Sequence, residues 1–191
     1  MAYKRNQVIE AIKIALADNR RSHHIDTRLK RLLHADRLLG RNPRAKSAEQ
    51  STYAFFSGEL AGSGNENLYS SFEAFAIFLG IRLLENGFPQ RVVIRILRSI
   101  RSELEGGLDA GWRLPGQSSG IRYYLARLAP EGVTSDDLAG SVSLCRGEAA
   151  VASFLKGAAD GQIMTVIELT NALMRFKNAI ETTLPAKRGR H

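Results

Sequence analysis

The chain has 191 residues, a formal net charge of +8 at pH 7 and a pI near 10.0. Its 44% hydrophobic and 24% charged residues are typical of globular proteins, and its length suits one ordinary core with a small second domain. No run of about 18 or more apolar residues occurs, so the sequence predicts no transmembrane helix. The single cysteine, Cys145, cannot form an internal disulfide, and we expect a cytoplasmic protein.

The positive charge is concentrated near the N-terminus. Residues 1–50 contain 12 Lys and Arg against 5 Asp and Glu, whereas residues 51–105 contain 5 against 6 and residues 106–191 contain 10 against 8. Basic charge gathered in one part of a chain favours a polyanionic partner, most often nucleic acid, over a general surplus that serves solubility.

Two helices are predicted in this basic region. The first runs from Asn6 to Ala17, where charged residues interrupt the apolar pattern, so we expect a helix and not a signal peptide. Asp26 is the predicted N-cap of the second, Thr27 to Leu39. Its apolar side is Leu29, Leu32, Leu33 and Leu39. The opposite side is cationic, with Lys30, His34, Arg37 and Arg41 at steps of three and four, flanked by Arg28 and Arg31. The separation of an apolar and a cationic side predicts a helix that contacts DNA. The alternative is an ordinary surface helix whose charged side faces solvent.

A loop and a β-hairpin are predicted next. Gly40 to Thr52 is polar and contains Pro and Gly, which is typical of a loop. Tyr53 to Phe56 is a candidate strand, the turn residues 62–65 follow, and Asn67 to Tyr69 is the candidate returning strand.

The clearest pattern lies between Tyr69 and Leu104. Ser70 and Glu73 form a capping box that begins an apolar helix, and Asn86-Gly87 ends that helix. Pro89 fits the start of a second helix. That second helix has an apolar face at Val92, Val93, Ile96, Leu97 and Ile100, and a predicted exposed face at Arg91, Arg95 and Arg98.

The order of these elements resembles the winged helix-turn-helix of MerR-type transcriptional regulators over residues 6–104. The matching residues are Gly64 and Tyr69-Ser70 at the wing exit, and the turn from Leu84 to Phe88. The resemblance implies that the second helix enters the major groove and that the hairpin wing contacts the DNA backbone. With the basic residues around the second helix, it defines the expected DNA-binding set: Arg20, Arg21, Arg28, Lys30, Arg31, His34, Arg37, Arg41, Arg44, Lys46, Ser63, Asn65 and Asn67.

Beyond this winged domain, expected at 1–105, the sequence predicts a connector at 106–120, a module at 121–184 and a disordered basic tail at 185–191. Trp112 is expected to pack in the core, Ile121 to Leu128 is helix or strand, and Ser141 to Cys145 and Ala150 to Leu155 are candidate strands. A last helix is predicted to begin with a capping box at Thr165 and Glu168. Its apolar residues suit either a homodimer interface or docking within the chain: Val166, Leu169, Leu173, Phe176 and Ile180.

No catalytic signature is present, and we expect neither an enzyme, nor a cofactor, nor a metal site. His23, His24 and Asp26 lack the spacing of metal ligands, and Cys145 is expected to be a small buried residue. The sequence therefore predicts a mainly α fold with a small β-hairpin wing and a C-terminal α(+β) module. The expected function is a bacterial, sequence-specific DNA-binding regulator that acts by occupying an operator. The alternatives are a helical adaptor for an acidic protein and, less favoured because it lacks an aromatic RNP-type strand, an RNA-binding module.

Overall fold

The structure, a computed structural model, describes residues 2–16, 24–56, 68–108, 112–130, 141–158 and 161–184. These residues form a mostly helical protein with two small antiparallel sheets. The elements in chain order are β1 (Ala2–Lys4), α1 (Arg5–Leu16), α2 (Ile25–Leu39), α3 (Ala48–Ser51), β2 (Leu68–Ser70), α4 (Ser71–Glu85), α5 (Gln90–Gly107), β3 (Tyr123–Pro130), β4 (Ser141–Arg146), α6 (Glu148–Leu155), β5 (Gln162–Glu168) and α7 (Thr170–Thr182).

Helix α4 lies at the centre of the protein, and almost every side chain between Phe72 and Leu83 is buried. Its predicted capping box is confirmed: the Glu73 N–H donates to Ser70 Oγ at 3.2 Å, and the Ser70 N–H donates to Glu73 Oε2 at 2.8 Å. The predicted turn is confirmed as well, because Gly87 has a φ of +85° and Pro89 directly precedes α5. These two hydrogen bonds therefore satisfy two backbone N–H groups at the start of α4 that have no partner within the helix.

Gly80 allows α4 to approach its neighbours closely. A Cβ atom at this position would lie 2.9 Å from Cδ2 of Leu32 on α2 and 3.2 Å from the ring of Phe55. Such distances are shorter than normal carbon contacts, so any larger side chain must displace the Leu32 side chain and the Phe55 ring.

The first sheet pairs residues 2–4 with residues 68–70, and the structure shows this pairing in place of the predicted hairpin. β1 pairs with β2 in antiparallel register, with Tyr3 opposite Tyr69. The prediction that Tyr53 to Phe56 forms the partner strand is wrong: these residues form no strand, and their backbone groups bind side chains of α2 and α5 instead. Residues 57–67, which contain the predicted turn, lie outside the described residues.

The second sheet has the strand order β4-β3-β5, with all pairs antiparallel. Ile121 to Leu128, left open by the sequence, is mostly strand β3. The predicted strand Ala150 to Leu155 is wrong, because these residues belong to helix α6. The predicted capping box at Thr165 is also wrong: Thr165 lies in β5 and α7 begins at Thr170. Glu168 does accept the Asn171 N–H, at 2.9 Å, and so caps α7 from the end of the strand.

One hydrophobic cluster joins residues from both sides of the predicted connector. Trp112 is buried, its indole N–H donates to the Tyr3 hydroxyl at 3.2 Å, and its ring meets Phe176 edge to face at 5.6 Å. Phe176 in turn stacks on Phe78 of α4, with ring centroids 4.8 Å apart. The expected packing role of Trp112 is thus confirmed, and the described parts of 1–105 and 121–184 share a core.

Most of the residues predicted for a dimer interface are buried in this core. Leu169, Leu173, Phe176 and Ile180 are buried within the chain, where α7 packs against α1 and α4. Val166 differs: it lies in β5 and is 43% exposed. The apolar spacing therefore reflects docking of α7 within the chain, which is the alternative to a dimer interface that the sequence left open.

We expect Gly80→Ala to lower the free energy of unfolding by about 1–3 kcal/mol, because the added methyl group overpacks the contact with Leu32 and Phe55. Urea unfolding followed by circular dichroism measures the effect. Gly106→Ala in the last turn of α5 is the matched control, since a Cβ atom there meets nothing and the substitution should cause no loss. Equal effects of the two substitutions would contradict this account.

Candidate nucleic-acid interface

Helix α2 has one buried face and one cationic face. Ile25, Leu29, Leu32, Leu33 and Asp36 are buried against the rest of the protein. The structure places the predicted stripe on the opposite, exposed side, namely Lys30, His34, Arg37 and, just beyond the helix, Arg41. Arg31, predicted to flank the stripe, is exposed as well. Leu39 is 37% exposed, so the prediction that it belongs to the apolar side of α2 is wrong.

The start of α2 differs from the prediction. Helix α2 begins at Ile25, and Asp26 lies in its first turn and not at the N-cap. The Asp26 carboxylate accepts from Arg5 at 3.0 Å and from Lys30 at 2.7 Å. The hydrogen bond from Lys30 is the main reason that the pKa of Asp26 is lowered, and Arg5 adds to this effect. Lys30 is therefore partly neutralised by its own helix.

The structure describes no such neutralising partner for the cations further along α2. Within the described ranges, no carboxylate pairs with Arg31, His34, Arg37 or Arg41. Arg28, at the edge of this face, lies 3.6 Å from Glu85 and is partly compensated. The uncompensated charge is thus concentrated between the middle of α2 and the loop that follows it.

A buried ion pair holds the other side of α2. Asp36 is fully buried, and its Oδ1 accepts from Arg98 of α5 at 2.7 Å and 2.9 Å. Arg98 also donates to the backbone carbonyl of Asp36 at 2.8 Å. The prediction that Arg98 lies on an exposed face of α5 is wrong, because the carboxylate on α2 draws its guanidinium into the interior.

The same carboxylate fixes the segment from Tyr53 to Phe56. Asp36 Oδ2 accepts the N–H groups of Ala54 at 2.9 Å and Phe55 at 3.2 Å. Burial raises the pKa of the Asp36 carboxyl, while Arg98 and these two N–H groups oppose the shift. Three hydrogen bonds and the ion-pair contact with Arg98 therefore hold the Asp36 carboxyl in the interior.

A second arginine of α5 satisfies the carbonyl groups of this segment. Arg101 donates to the backbone oxygens of Tyr53 and Phe56, and its guanidinium lies 4.8 Å from the ring centroid of Phe72. On the outer side, Arg37 lies 4.8 Å from the ring centroid of Phe56 and Arg41 lies 5.4 Å from that of Tyr53. The rings of Tyr53 and Phe56 therefore lie beneath two of the exposed cations, Arg41 and Arg37, at distances typical of cation–π contacts.

A cleft of about 380 Å³ opens at the end of α2. Its described lining contains three arginines and no acidic residue: Leu39, Gly40, Arg41, Asn42, Gln50, Arg95 and Arg98. Arg44 and Lys46 are exposed on the adjoining loop. We call the exposed cations of α2, this cleft and the adjoining loop the basic surface, defined by Arg31, His34, Arg37, Arg41, Arg44, Lys46 and Arg95.

Five members of the predicted DNA-binding set, Arg20, Arg21, Ser63, Asn65 and Asn67, lie outside the described residues. Sequence reasoning missed Arg95, which the short turn between α4 and α5 brings beside the end of α2. It also missed the role of Asp36. The signal was present, because Asp36 continues the spacing of Leu29, Leu32 and Leu33 and is the charged residue on that apolar face.

In the part of the chain that the structure describes, no three His, Cys, Asp or Glu side chains are grouped to hold a metal ion. Cys145 is buried, as expected. None of the described helices combines the length and apolar character needed to cross a membrane. Compared with protein-family models, curated proteins and solved structures, the chain matches none of them.

We expect Asp36→Asn to lower the free energy of unfolding by about 3–5 kcal/mol, because it leaves the buried Arg98 guanidinium without a counter-charge. Asp26→Asn is the matched control, since it removes an acidic partner of two cations at the exposed start of the same helix. It should cost less than about 1 kcal/mol. Urea unfolding of both variants at pH 7 checks the difference, and a cost at Asp36 no larger than at Asp26 would contradict the assigned role.

Proposed function

We propose that the protein binds double-stranded DNA through its basic surface and acts as a transcriptional regulator by occupying its site. The observation that carries the proposal is the exposed face of α2, where Arg31, His34 and Arg37 project without carboxylate partners among the described residues. Cations that already pair with carboxylates would gain little binding free energy from contact with phosphate. The cations of this face pair with no described carboxylate, so the phosphates of DNA would supply their counter-ions.

The dimensions of α2 suit a major groove. Lys30 and Arg37 are separated by roughly 10 Å along the helix axis, at about 1.5 Å per residue, which is close to the rise of three base pairs. A helix of about 10–12 Å diameter fits a groove about 12 Å wide. In this arrangement Arg31, His34 and Arg37 lie in the groove, within reach of base edges and of the phosphates at its rim, while Arg41, Arg44 and Lys46 neutralise phosphates beyond the helix.

The MerR-type mode of binding remains part of the proposal only for α2. The order of a basic helix followed by a capped helix and a short Gly-Phe-Pro turn supports it. The wing has no such support, since β2 pairs with β1 and not with Tyr53 to Phe56. A homodimer built on Leu169, Leu173, Phe176 and Ile180 is not proposed, because those side chains are buried in the chain's own core.

We expect the full chain to bind a fluorescently labelled duplex of random sequence, with an affinity that falls steeply as salt rises. Arg31→Gln/Arg37→Gln should weaken binding and should flatten the slope of log affinity against log salt by about 1 for each phosphate contact that is lost. Fluorescence anisotropy at a series of salt concentrations measures both quantities.

Lys156→Gln/Arg175→Gln is the matched control. Like the test variant, it lowers the formal net charge from +8 to +6, but it removes exposed cations near the end of α6 and on α7. We expect it to bind almost as the parent chain does. Equal weakening by the two double variants would show that net charge acts alone and would refute the assignment to α2. No duplex binding at low salt would refute DNA binding and would favour an acidic protein partner.

A further inference from the structure

Strand β5 is an edge strand that carries exposed apolar side chains. Among the described strands it pairs only with β3, so its other edge has no partner strand there. Ile163, Met164 and Val166 are each about half exposed, at 53%, 56% and 43%. Helix α6 packs on β3 and β4, where Ala126 and Cys145 are buried, and it leaves this part of β5 uncovered. An exposed apolar edge of this kind is a template for pairing with another chain.

A cleft of about 560 Å³ runs between β5 and the turn that joins α4 to α5. Two arginines line it, Arg82 from α4 and Arg127 from β3, together with Asn86, Phe88 and Thr165. Thr165 lies directly opposite Arg127 in the β3–β5 register, so the guanidinium reaches the cleft beside the middle of β5. The cleft thus places positive charge next to the edge of β5 that pairs with no described strand.

Among the described residues, the buried Nε of Arg127 has no hydrogen-bond partner. The centroid of the Phe88 ring lies 5.7 Å from the guanidinium carbon. Burial lowers the pKa of Arg127, which is the direction expected for a cation that has lost water without gaining an anion. No carboxylate in the described part of the chain pairs with Arg82 or Arg127. Glu168 also lines the cleft, but it already accepts the Asn171 N–H.

We propose that β5 binds an extended segment of a partner protein, which adds as a strand to its free edge and places a carboxylate against Arg127 and Arg82. Apolar side chains on either side of that carboxylate cover Ile163, Met164 and Val166. The partner is therefore an extended peptide in which apolar residues surround one Asp or Glu. This surface is separate from the basic surface of α2, and the proposal does not depend on DNA binding.

The chemistry of the surface favours this occupant over two others. A nucleic acid would supply an anion for Arg127, but it would leave the apolar side chains and the backbone edge of β5 uncovered. A second copy of the chain that paired its own β5 would offer one carboxylate on that strand, Glu168, which is already engaged at the start of α7. An acidic, otherwise apolar strand satisfies the charge, the apolar surface and the edge together.

The test uses pools of seven-residue peptides with Lys at both ends, Asp at the centre, and Val, Ile, Thr or Phe at the other positions. Binding to the full chain is followed by amide NMR shifts of residues 162–168. We expect saturable shifts with the Asp pool and at least tenfold weaker binding with a pool that has Asn at the centre. No shift in β5 with the Asp pool would overturn the proposal.

Variants of the chain identify the contact. Arg127→Leu should abolish the preference for Asp over Asn, and Arg82→Gln, which does not alter the sheet, should reduce it. Arg175→Leu, on the exposed side of α7, is the control and should preserve it. An unchanged preference in Arg82→Gln and Arg127→Leu would overturn the proposal. If Arg127→Leu fails to fold, Arg82→Gln alone decides.

Two further measurements separate strand addition from other events. An Asp pool with methylated backbone nitrogens keeps its charge but cannot donate to β5, so we expect its binding to be lost. Retained binding would reduce the site to a carboxylate contact and overturn strand addition. Sedimentation of the chain without peptide should show no self-association through β5. A dimer that Val166→Lys disrupts would identify a second copy as the occupant and would overturn the proposal as well.

Discussion

The buried ion pair between Asp36 and Arg98 is the interaction on which the arrangement around α2 depends. It joins α2 to α5, and through Asp36 Oδ2 it also holds the backbone of Ala54 and Phe55. A buried pair of this kind adds little stability compared with apolar residues of equal volume, but removing one partner is costly. Its contribution here is therefore to define one position for three segments that also pack through apolar side chains such as Leu32 and Phe55.

That constraint has a consequence for the exposed side of α2. Because Asp36 faces inward, the helix is rotated so that Arg31, His34 and Arg37 face solvent. The aromatic segment that Asp36 and Arg101 hold in place lies beneath Arg37 and Arg41. Interior contacts thus determine the direction of these cations and the aromatic rings beneath them, and the proposed binding of DNA would need such a preformed surface.

Local patterns in the sequence predicted the elements whose signals are local. The capping box at Ser70, the Asn86-Gly87 turn and the two faces of α2 depend on residues within a few positions of one another, and they are confirmed. The errors involve partners that are distant in the chain. Leu68 to Ser70 pairs with the N-terminal residues 2–4, and Arg98 is buried because Asp36 lies across from it. Aromatic residues at 53–56 resemble a strand in composition, yet side chains from two helices satisfy their backbone. No local periodicity carries that information.

The central claim is that the exposed face of α2 contacts DNA. Replacing His34, in the middle of that face, with a photoreactive residue and irradiating the complex with a labelled duplex tests this directly. Crosslinking from position 34, with little or none from the same residue placed at Arg175, is the result predicted. Undiminished duplex binding with no crosslink from position 34, or equal crosslinking from both positions, would contradict the claim.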